Sequence, residues 1–475
     1  LRDDLARWQE GGVTVALIGN GTPEFATRFR EDFDFRGRLL VDPDLVAYRA
    51  ARLRRGSEAI VSRGMFRDVA RALRAGARQE GIQGDPWQLG GAFVFREGGA
   101  LLLSHRNVSA GDHVSAASID AALEQDEPVE EGPAPVSRFA SVSTALRPIL
   151  DASPVGSFDR LGFARHSLGF DADDLDVDLR ERHVVVTGAN SGIGLATSLA
   201  LADLGARVTA VCRDEERGRQ AVELIRSRTG SRRVALLRAD LSDLSDVERA
   251  SGELAKEGVD VLVHNAGVLP SERGESAEGL ELTFATHIAG PHLMTARLRP
   301  ALEASADARV IWVSSGGMLT TRLRLDDPQW RARPYDGVRA YAETKRAQVV
   351  LSELWATEFR DTGIKVHAMH PGWADTPAVA SSLPRFHQLT RAILRTPAEG
   401  ADTVVWLAAS ERGASESGRF YFDRSAVRTH WLPSTLERDG DRDRLWRLCG
   451  GATPNRSEAY GLGARSPSSQ GKPAD

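Results

Sequence analysis

The run Val184-Val185-Val186-Thr187-Gly188-Ala189-Asn190-Ser191-Gly192-Ile193-Gly194 constrains this chain more than any other stretch. It reads as a buried strand, then a glycine-spaced turn, then an alanine- and leucine-rich helix from Leu195 to Leu204. Glycines at such a junction let the backbone approach a ligand's phosphates, and the helix start offers free N–H groups and a positive dipole end. The spacing is Gly188-x-x-x-Gly192-x-Gly194 rather than G-x-G-x-x-G. Alone, it fits a pyrophosphate cradle and a ligand-free βα turn equally well.

The 475 residues leave room for two or three domains of roughly 150 residues each. A net charge of −5, with acids and bases interspersed, gives no basic stripe for nucleic acid. Cys212 and Cys449 are the sole cysteines and lie far apart in sequence, so no disulfide framework is expected and a reducing, cytoplasmic setting is. No apolar run reaches transmembrane length, and no secretory signal is visible. The chain starts at Leu1 rather than Met, which leaves open that further sequence precedes it.

Residues 1–125 read as a smaller α/β domain. Strands are expected at Val13–Gly19 and Leu39–Val41, helices at Pro23–Phe33, Met65–Ala77 and Ser115–Leu123, and a hairpin around Glu97-Gly98-Gly99. Val15–Gly21, Leu40–Pro43, Tyr48–Ala50, Gln88–Phe93 and His105–His113 resemble the later part of a thioredoxin-fold domain of the peroxiredoxin-like AhpC/TSA kind. That resemblance implies a thiol peroxidase, but this domain contains no cysteine, and the chemistry needs a thiolate. His105 and His113 lack the neighbours of a metal site, and none is expected.

Residues 126–138 are acidic and proline-rich, as in a linker. Within 139–180, apolar positions at helical spacing (Phe139, Val142, Leu146, Ile149, Leu150) precede a Gly/Asp-rich coil, and 126–180 is expected to lead in to the next domain and pack on it. Residues 181–449 alternate strand and helix, with strands at His183–Val186, Arg207–Val211, Val234–Leu237, Val259–Val263, Arg309–Val313, Ile364–Met369 and Phe420–Phe422. This is the pattern of a doubly wound parallel sheet, which binds ligands at its carboxyl end. Gly, Pro, Ser and charge dominate 450–475, an expected disordered tail.

Five features fall at the expected strand ends: the glycine turn (Thr187, Gly188, Asn190, Ser191, Gly192, Ile193 and Gly194), Arg213, Asp240-Leu241, Asn265-Ala266-Gly267, and Ser315 followed by Tyr341 and Lys345. After Cys212, an arginine suits a 2′-phosphate where an acid would suit a free 2′-hydroxyl, so NADP(H) is favoured over NAD(H). Asp240 and Leu241 suit the adenine edge, and Asn265 suits a tie between adjacent strands. Tyr341 and Lys345 share a helix face; an ammonium near the phenol would lower its pKa from about 10 and make Tyr341 a general acid/base. Ser315 can donate to a carbonyl oxygen that gains charge.

Thr187–Gly194, Asn265–Gly267, Ser315, Tyr341/Lys345 and Pro371-Gly372 occur in the order seen in short-chain dehydrogenases/reductases, and the chain resembles that family over about residues 180–425. Val313–Leu319, His370–Pro377, Gly400–Thr403 and Ser417–Phe420 are most similar to its dehydrogenase/reductase member 12 subgroup. The resemblance implies a Rossmann-type fold and NADP-linked carbonyl/alcohol chemistry. It makes Tyr341 the proton donor or acceptor, Ser315 the polariser and Lys345 the ribose ligand, with Pro371, Gly372 and Thr376 near the nicotinamide. It also suggests a homo-oligomer. Where the family usually has an asparagine serving a proton-relay water, this chain has His287, which could serve a modified relay or weaken turnover.

Leu383, Phe386, Leu389, Ile393 and Leu394, with Trp373 nearby, offer an apolar face that suits either an apolar carbonyl substrate or the core. Two rival functions remain: a non-catalytic dinucleotide-binding or interaction protein, and a peroxidase–reductase fusion whose cysteine lies upstream.

Overall fold

The computed structural model describes residues 4, 7, 8, 10–20, 23–32, 38–42, 47, 48, 51, 53, 90–96, 101–107, 114–124, 156–382, 384–391, 393–451, 454, 455 and 459–461. The chain divides into two compact units, Leu1–Leu150 and Asp151–Asp475.

In the first unit, β1 (Ala16–Gly19) and β2 (Arg38–Val41) pair in parallel, joined through α1 (Pro23–Asp32). Pro23 opens that helix, where its missing N–H costs no hydrogen bond. Strands β3 (Gly91–Phe95) and β4 (Leu101–Arg106) form an antiparallel pair. Helix α2 (Ala116–Leu123) is capped by Ser115, whose Oγ accepts from the Ser118 N–H at 3.1 Å. Asp120 on this helix binds Trp8 Nε1 at 2.6 Å and Arg7 at 2.8 Å. The expected Met65–Ala77 helix, the Glu97–Gly99 turn, His113 and the 126–138 linker lie outside the described residues.

The second unit is built on a sheet whose described strands run β12-β11-β10-β9-β8-β5-β6-β7. These are β5 (His183–Thr187), β6 (Arg207–Cys212), β7 (Val234–Arg238), β8 (Val261–His264), β9 (Arg309–Val313), β10 (Lys365–Met369), β11 (Arg419–Phe422) and a short antiparallel β12 (Ser425–Ala426). Every strand residue of β5, β8 and β9 is buried, which is why these runs are apolar rather than alternating. One sheet face packs on residues such as Leu254, Leu298 and Trp355, the other on Leu201, Ile225 and Trp406. The chain winds outward from β5 to β7 and then returns to β8, so the switch point lies between β5 and β8.

Two expectations need correction. The stretch before residue 181 is not all coil: α3 (Arg160–Ser167) starts at Asp159, whose Oδ1 accepts from the Gly162 N–H at 2.8 Å, and Phe158 is a core residue. Glycines at 156, 162 and 169 hid this helix, although Asp159 is an ordinary N-cap. The segment belongs to the second unit, which begins well before residue 181. Nor is the whole of 450–475 a free tail. Tyr460 is fully buried, its ring 6.0 Å from that of His292 and its carbonyl accepting from Gln329 Nε2 at 3.2 Å. One aromatic anchor outweighs a polar local composition.

Candidate active site

The glycine turn is a cradle defined by what it leaves no room for. Gly188 has φ +67°, and a Cβ on Gly194 would stand 2.3 Å from the Gly188 carbonyl and 2.4 Å from Asn265 Nδ2. Helix α4 (Gly192–Asp203) follows with Ser191 at its cap, and the Ser191 hydroxyl makes no capping bond. Its first N–H groups therefore face outward without a side-chain partner. Thr376 lies over this turn, 3.1 Å from where a Gly192 Cβ would be.

Asn265 closes the switch point. Its Nδ2 donates to the carbonyls of Thr187 at 2.9 Å and Gly188 at 3.2 Å, while Thr187 Oγ1 accepts from the N–H groups of Asn265 and Ala266 at 3.0 and 3.1 Å. The ends of β5 and β8 are thereby fixed side by side. Gly267 stands nearby, where a Cβ would lie 3.1 Å from His287 Nε2 and 3.8 Å from Lys345 Nζ.

Arg213, after β6, is well exposed, with Nε 3.9 Å from Asp240 Oδ2. Asp240 Oδ1 accepts from the N–H and hydroxyl of Ser242 at 2.9 and 2.7 Å. Leu241 is buried, and its carbonyl lies 2.1 Å from where a Gly290 Cβ would be. Gly372, at φ +72°, packs instead against Arg395 and the Phe158 carbonyl, and the Pro371 carbonyl accepts from Arg395 Nη1 at 3.3 Å.

Ser315 follows β9 and caps a 3-10 turn (Gly316–Thr320), its Oγ accepting from the Gly317 N–H at 3.3 Å. Tyr341 and Lys345 lie on α8 (Gly337–Glu358), which Asp336 caps. The Tyr341 phenol lies close enough to Ser315 for that side chain to lower its pKa. Lys345 is buried, and its Nζ donates to the Val313 carbonyl at 2.8 Å and to Gln348 Oε1 at 2.9 Å. An ammonium has three donors, so one N–H remains for a ligand. The Nζ lies 5.5 Å from the centre of the Tyr341 ring.

The electrostatics differ from the simple Tyr–Lys picture. Burial raises the Tyr341 pKa, and the Ser315 hydrogen bond offsets this in part. Burial pushes Lys345 down to about 7. Lys345, which the spacing puts beside the phenol, is not among the causes acting on the Tyr341 pKa. Desolvation is the leading cause at both groups.

His287 is also not free to hold a water. It lies in a π-helical turn (Ala285–Ala289), fully buried, with Nε2 accepting from the Val268 N–H at 2.9 Å and Nδ1 bonded to Thr344 Oγ1 at 2.8 Å. The accepting Nε2 fixes the Nδ1–H tautomer. Burial and the neighbouring Lys345 hold its pKa well below the usual value. Both nitrogens are used, so the ring is a structural post for Gly267-Val268 and for α8. Of the two roles left open for His287, a modified relay or a weakened turnover, the relay finds both ring nitrogens already bonded.

Sequence reasoning gave no role to Gln348, Thr344 or Ser314. Gln348 Nε2 donates to the His287 carbonyl at 2.9 Å, and Ser314 Oγ donates to the Lys345 carbonyl at 2.8 Å. Gln348 stands three residues after Lys345 on the same helix face, a spacing visible in the sequence. Of the apolar face, Leu394 is core and the Trp373 ring packs edge-on at 6.2 Å from Phe158, while the side chains of Leu383, Phe386 and Leu389 lie outside the described residues. Among the described residues no group of three or more His, Cys, Asp or Glu could hold a metal, and no helix is long and apolar enough to cross a membrane. Cys212 and Cys449 are both free and buried, the first with its thiol pushed up to about 11 by burial.

Residues 182–385 match the short chain dehydrogenase family model, and residues 1–109 match that of the AhpC/TSA antioxidant enzymes. The chain is 42% identical over 297 residues to dehydrogenase/reductase SDR family member 12 of Bos taurus, covering 62% of this chain and 93% of that protein. The human counterpart is 41% identical, over 59% of this chain and 88% of its own length. Human retinol dehydrogenase 12 is 33% identical, over 58% and 86%. With the first unit carrying the AhpC/TSA match of a thioredoxin-like α/β domain, the second unit makes this chain a member of the short-chain dehydrogenase/reductase family of oxidoreductases.

Proposed function

We propose that the chain is an NADP(H)-dependent oxidoreductase that interconverts a carbonyl and an alcohol. The observation that carries this reading is the convergence of Ser315, Tyr341 and Lys345 at the end of β9, beside the β5–β8 switch point where Gly188 and Gly194 leave a cradle. That cradle and the uncapped start of α4 suit a pyrophosphate, and Arg213 suits a 2′-phosphate if it swings off Asp240. Thr187, Asn190, Ser191, Ile193, Asp240, Leu241, Asn265, Ala266, Gly267 and Thr376 would line the same cleft, and the spare Lys345 N–H would reach a ribose hydroxyl. Pro371 and Gly372 would shape its nicotinamide end.

A bound nicotinamide supplies or accepts the hydride; the rest falls to the chain. Ser315 donates to the carbonyl oxygen and holds it against Tyr341. As the carbonyl carbon gains the hydride, the Tyr341 phenol gives its proton to that oxygen, and the alcohol leaves. Burial keeps the phenol protonated at rest, which readies it to act as the acid in reduction. The phenolate left behind regains its proton before the next turnover. Lys345, held by Val313 and Gln348, supports that phenolate once it forms.

Titrating the protein with NADPH and with NADH, read by nicotinamide fluorescence, tests the cofactor reading. Tighter binding of NADPH, weakened by Arg213→Ala, is expected. NADH preference would remove the role given to Arg213, and binding of neither would favour an interaction protein. With no cysteine in the first unit, peroxidase turnover by this chain alone is not expected.

A further inference from the structure

The two elements that carry Ser315 and Tyr341 also line a cavity of about 430 Å³. One wall is Thr320 and Thr321, at the end of the turn that Ser315 caps. Another is the first part of α8, where Val338 and Ala342 lie either side of Tyr341 in sequence. Thr435 closes a third side. The lining is polar and basic, since Arg322, Arg324 and Arg339 all contribute to it.

These arginines differ in their partners. Arg324 lies 3.7 Å from Glu343, and Glu343 is already clamped by Arg333, one bond of which is 2.9 Å. The Arg322 and Arg339 guanidinium groups have no hydrogen-bonding or ionic partner among the described residues. Of the nearby carboxylates, Asp336 accepts from the Arg339 backbone N–H at 3.1 Å, and Glu437 faces His430 at 3.2 Å with its Oε1 unpartnered. Behind the Thr321 wall, the fully buried Arg346 donates to the Thr321 carbonyl at 3.2 Å and has an Nη2 with no partner. Three arginines, two of them without a guanidinium partner among the described residues, therefore line a cavity large enough for part of a small molecule.

We infer that this cavity holds the acidic end of the substrate, and that the substrate is a carbonyl or alcohol compound bearing a carboxylate or phosphate, gripped by Arg322 and Arg339. A planar guanidinium pairs with either group through two parallel N–H donors. The inference rests on the oxidoreductase reading and replaces the apolar substrate with an anionic one.

The test is calorimetric titration of the full chain, with and without NADP⁺, using 4-formylbenzoate, 4-formylphenyl phosphate and neutral benzaldehyde. The expected result is roughly tenfold or tighter binding of at least one acid over benzaldehyde, weakening with salt. The tighter acid identifies the group. In R322A/R339A the three ligands should converge; the single charge reversal Arg339→Glu should act in the same direction. Equal binding of all three by the native protein, or a preference that survives R322A/R339A, would overturn the inference. Whether any aldehyde is reduced tests the oxidoreductase reading separately, since acid preference is read from binding alone.

Discussion

Lys345 Nζ donates to Gln348 Oε1 at 2.9 Å, and the other end of that same amide donates to the His287 carbonyl at 2.9 Å. Gln348 thus ties the lysine of the proposed site to the π-helical turn, and the His287 ring ties that turn to Val268 and back to α8. The lysine's position is set by a neutral amide rather than a carboxylate, which is consistent with its pKa falling to about 7.

Replacing Gln348 should therefore alter the lysine before anything else. Gln348→Glu places a carboxylate beside Nζ and raises the Lys345 pKa, so any pH limb governed by Lys345 moves to higher pH. Gln348→Leu leaves Nζ and the His287 carbonyl short of a partner in a buried site, at a cost of about 1–3 kcal/mol. Rate–pH profiles and urea midpoints of the two variants check this; an unmoved limb in Gln348→Glu would remove Gln348 as a positioning residue.

Acid should unfold the second unit through its buried histidines. Burial lowers His264 and His370 to about 3, and His292 and His367 to about 4; it also holds His287 well below its usual value. Their folded pKa values lie below the unfolded value of about 6.5, so below that pH the unfolded chain binds more protons. Their contribution is complete above pH 6.5 and is lost as pH falls toward 4, at up to about 1.4 kcal/mol per pH unit for each histidine. Urea unfolding at pH 7.5, 6 and 5 should show a falling midpoint, and a flat one would contradict the neutral assignments.

Arg395 is fully buried and donates to both oxygens of Asp423 at 2.6 and 2.9 Å, with further bonds to the carbonyls of Ser157 and Asp159. Although burial opposes it, the Arg395 charge and the hydrogen bonds from His166 and Arg395 hold the Asp423 carboxyl below its ordinary pKa. Asp423→Asn leaves a buried guanidinium uncompensated and should cost about 3–5 kcal/mol, read as a lower melting temperature. Replacing both partners with apolar residues should recover much of that loss.

Gly194→Ala should abolish dinucleotide binding and lower stability, since the added methyl forces the turn backbone at Gly188 to move. The added methyl meets backbone at 2.3 Å and Asn265 at 2.4 Å, so Asn265 must leave its bonds to Thr187 and Gly188. Fluorescence titration beside circular dichroism separates lost binding from lost structure. Unchanged affinity would remove the glycine turn from the site.

The sheet was legible because its central strands are buried on both faces and therefore appear as unbroken apolar runs, each near a turn that carries polar or glycine residues. Ser315, Tyr341 and Lys345 were legible from order and helical spacing. The charge states were not, since the pKa of Lys345 follows from desolvation that spacing does not reveal. His287 suggested a relay because its residue type suits one; only the Val268 and Thr344 contacts show that its nitrogens are already in use. Tyr460 and the Arg395–Asp423 pair depend on contacts distant in sequence, and local composition around them pointed elsewhere.

The most direct test is a single-turnover measurement of NADPH oxidation on mixing with an aldehyde, comparing native protein with Tyr341→Phe, with NADPH affinity measured on the same samples. The account predicts equal affinity and hydride transfer slowed by about 10²–10⁴-fold in Tyr341→Phe. Equal rates in the two proteins, or tight NADPH binding by the native protein without oxidation by any neutral or acidic aldehyde, would contradict it.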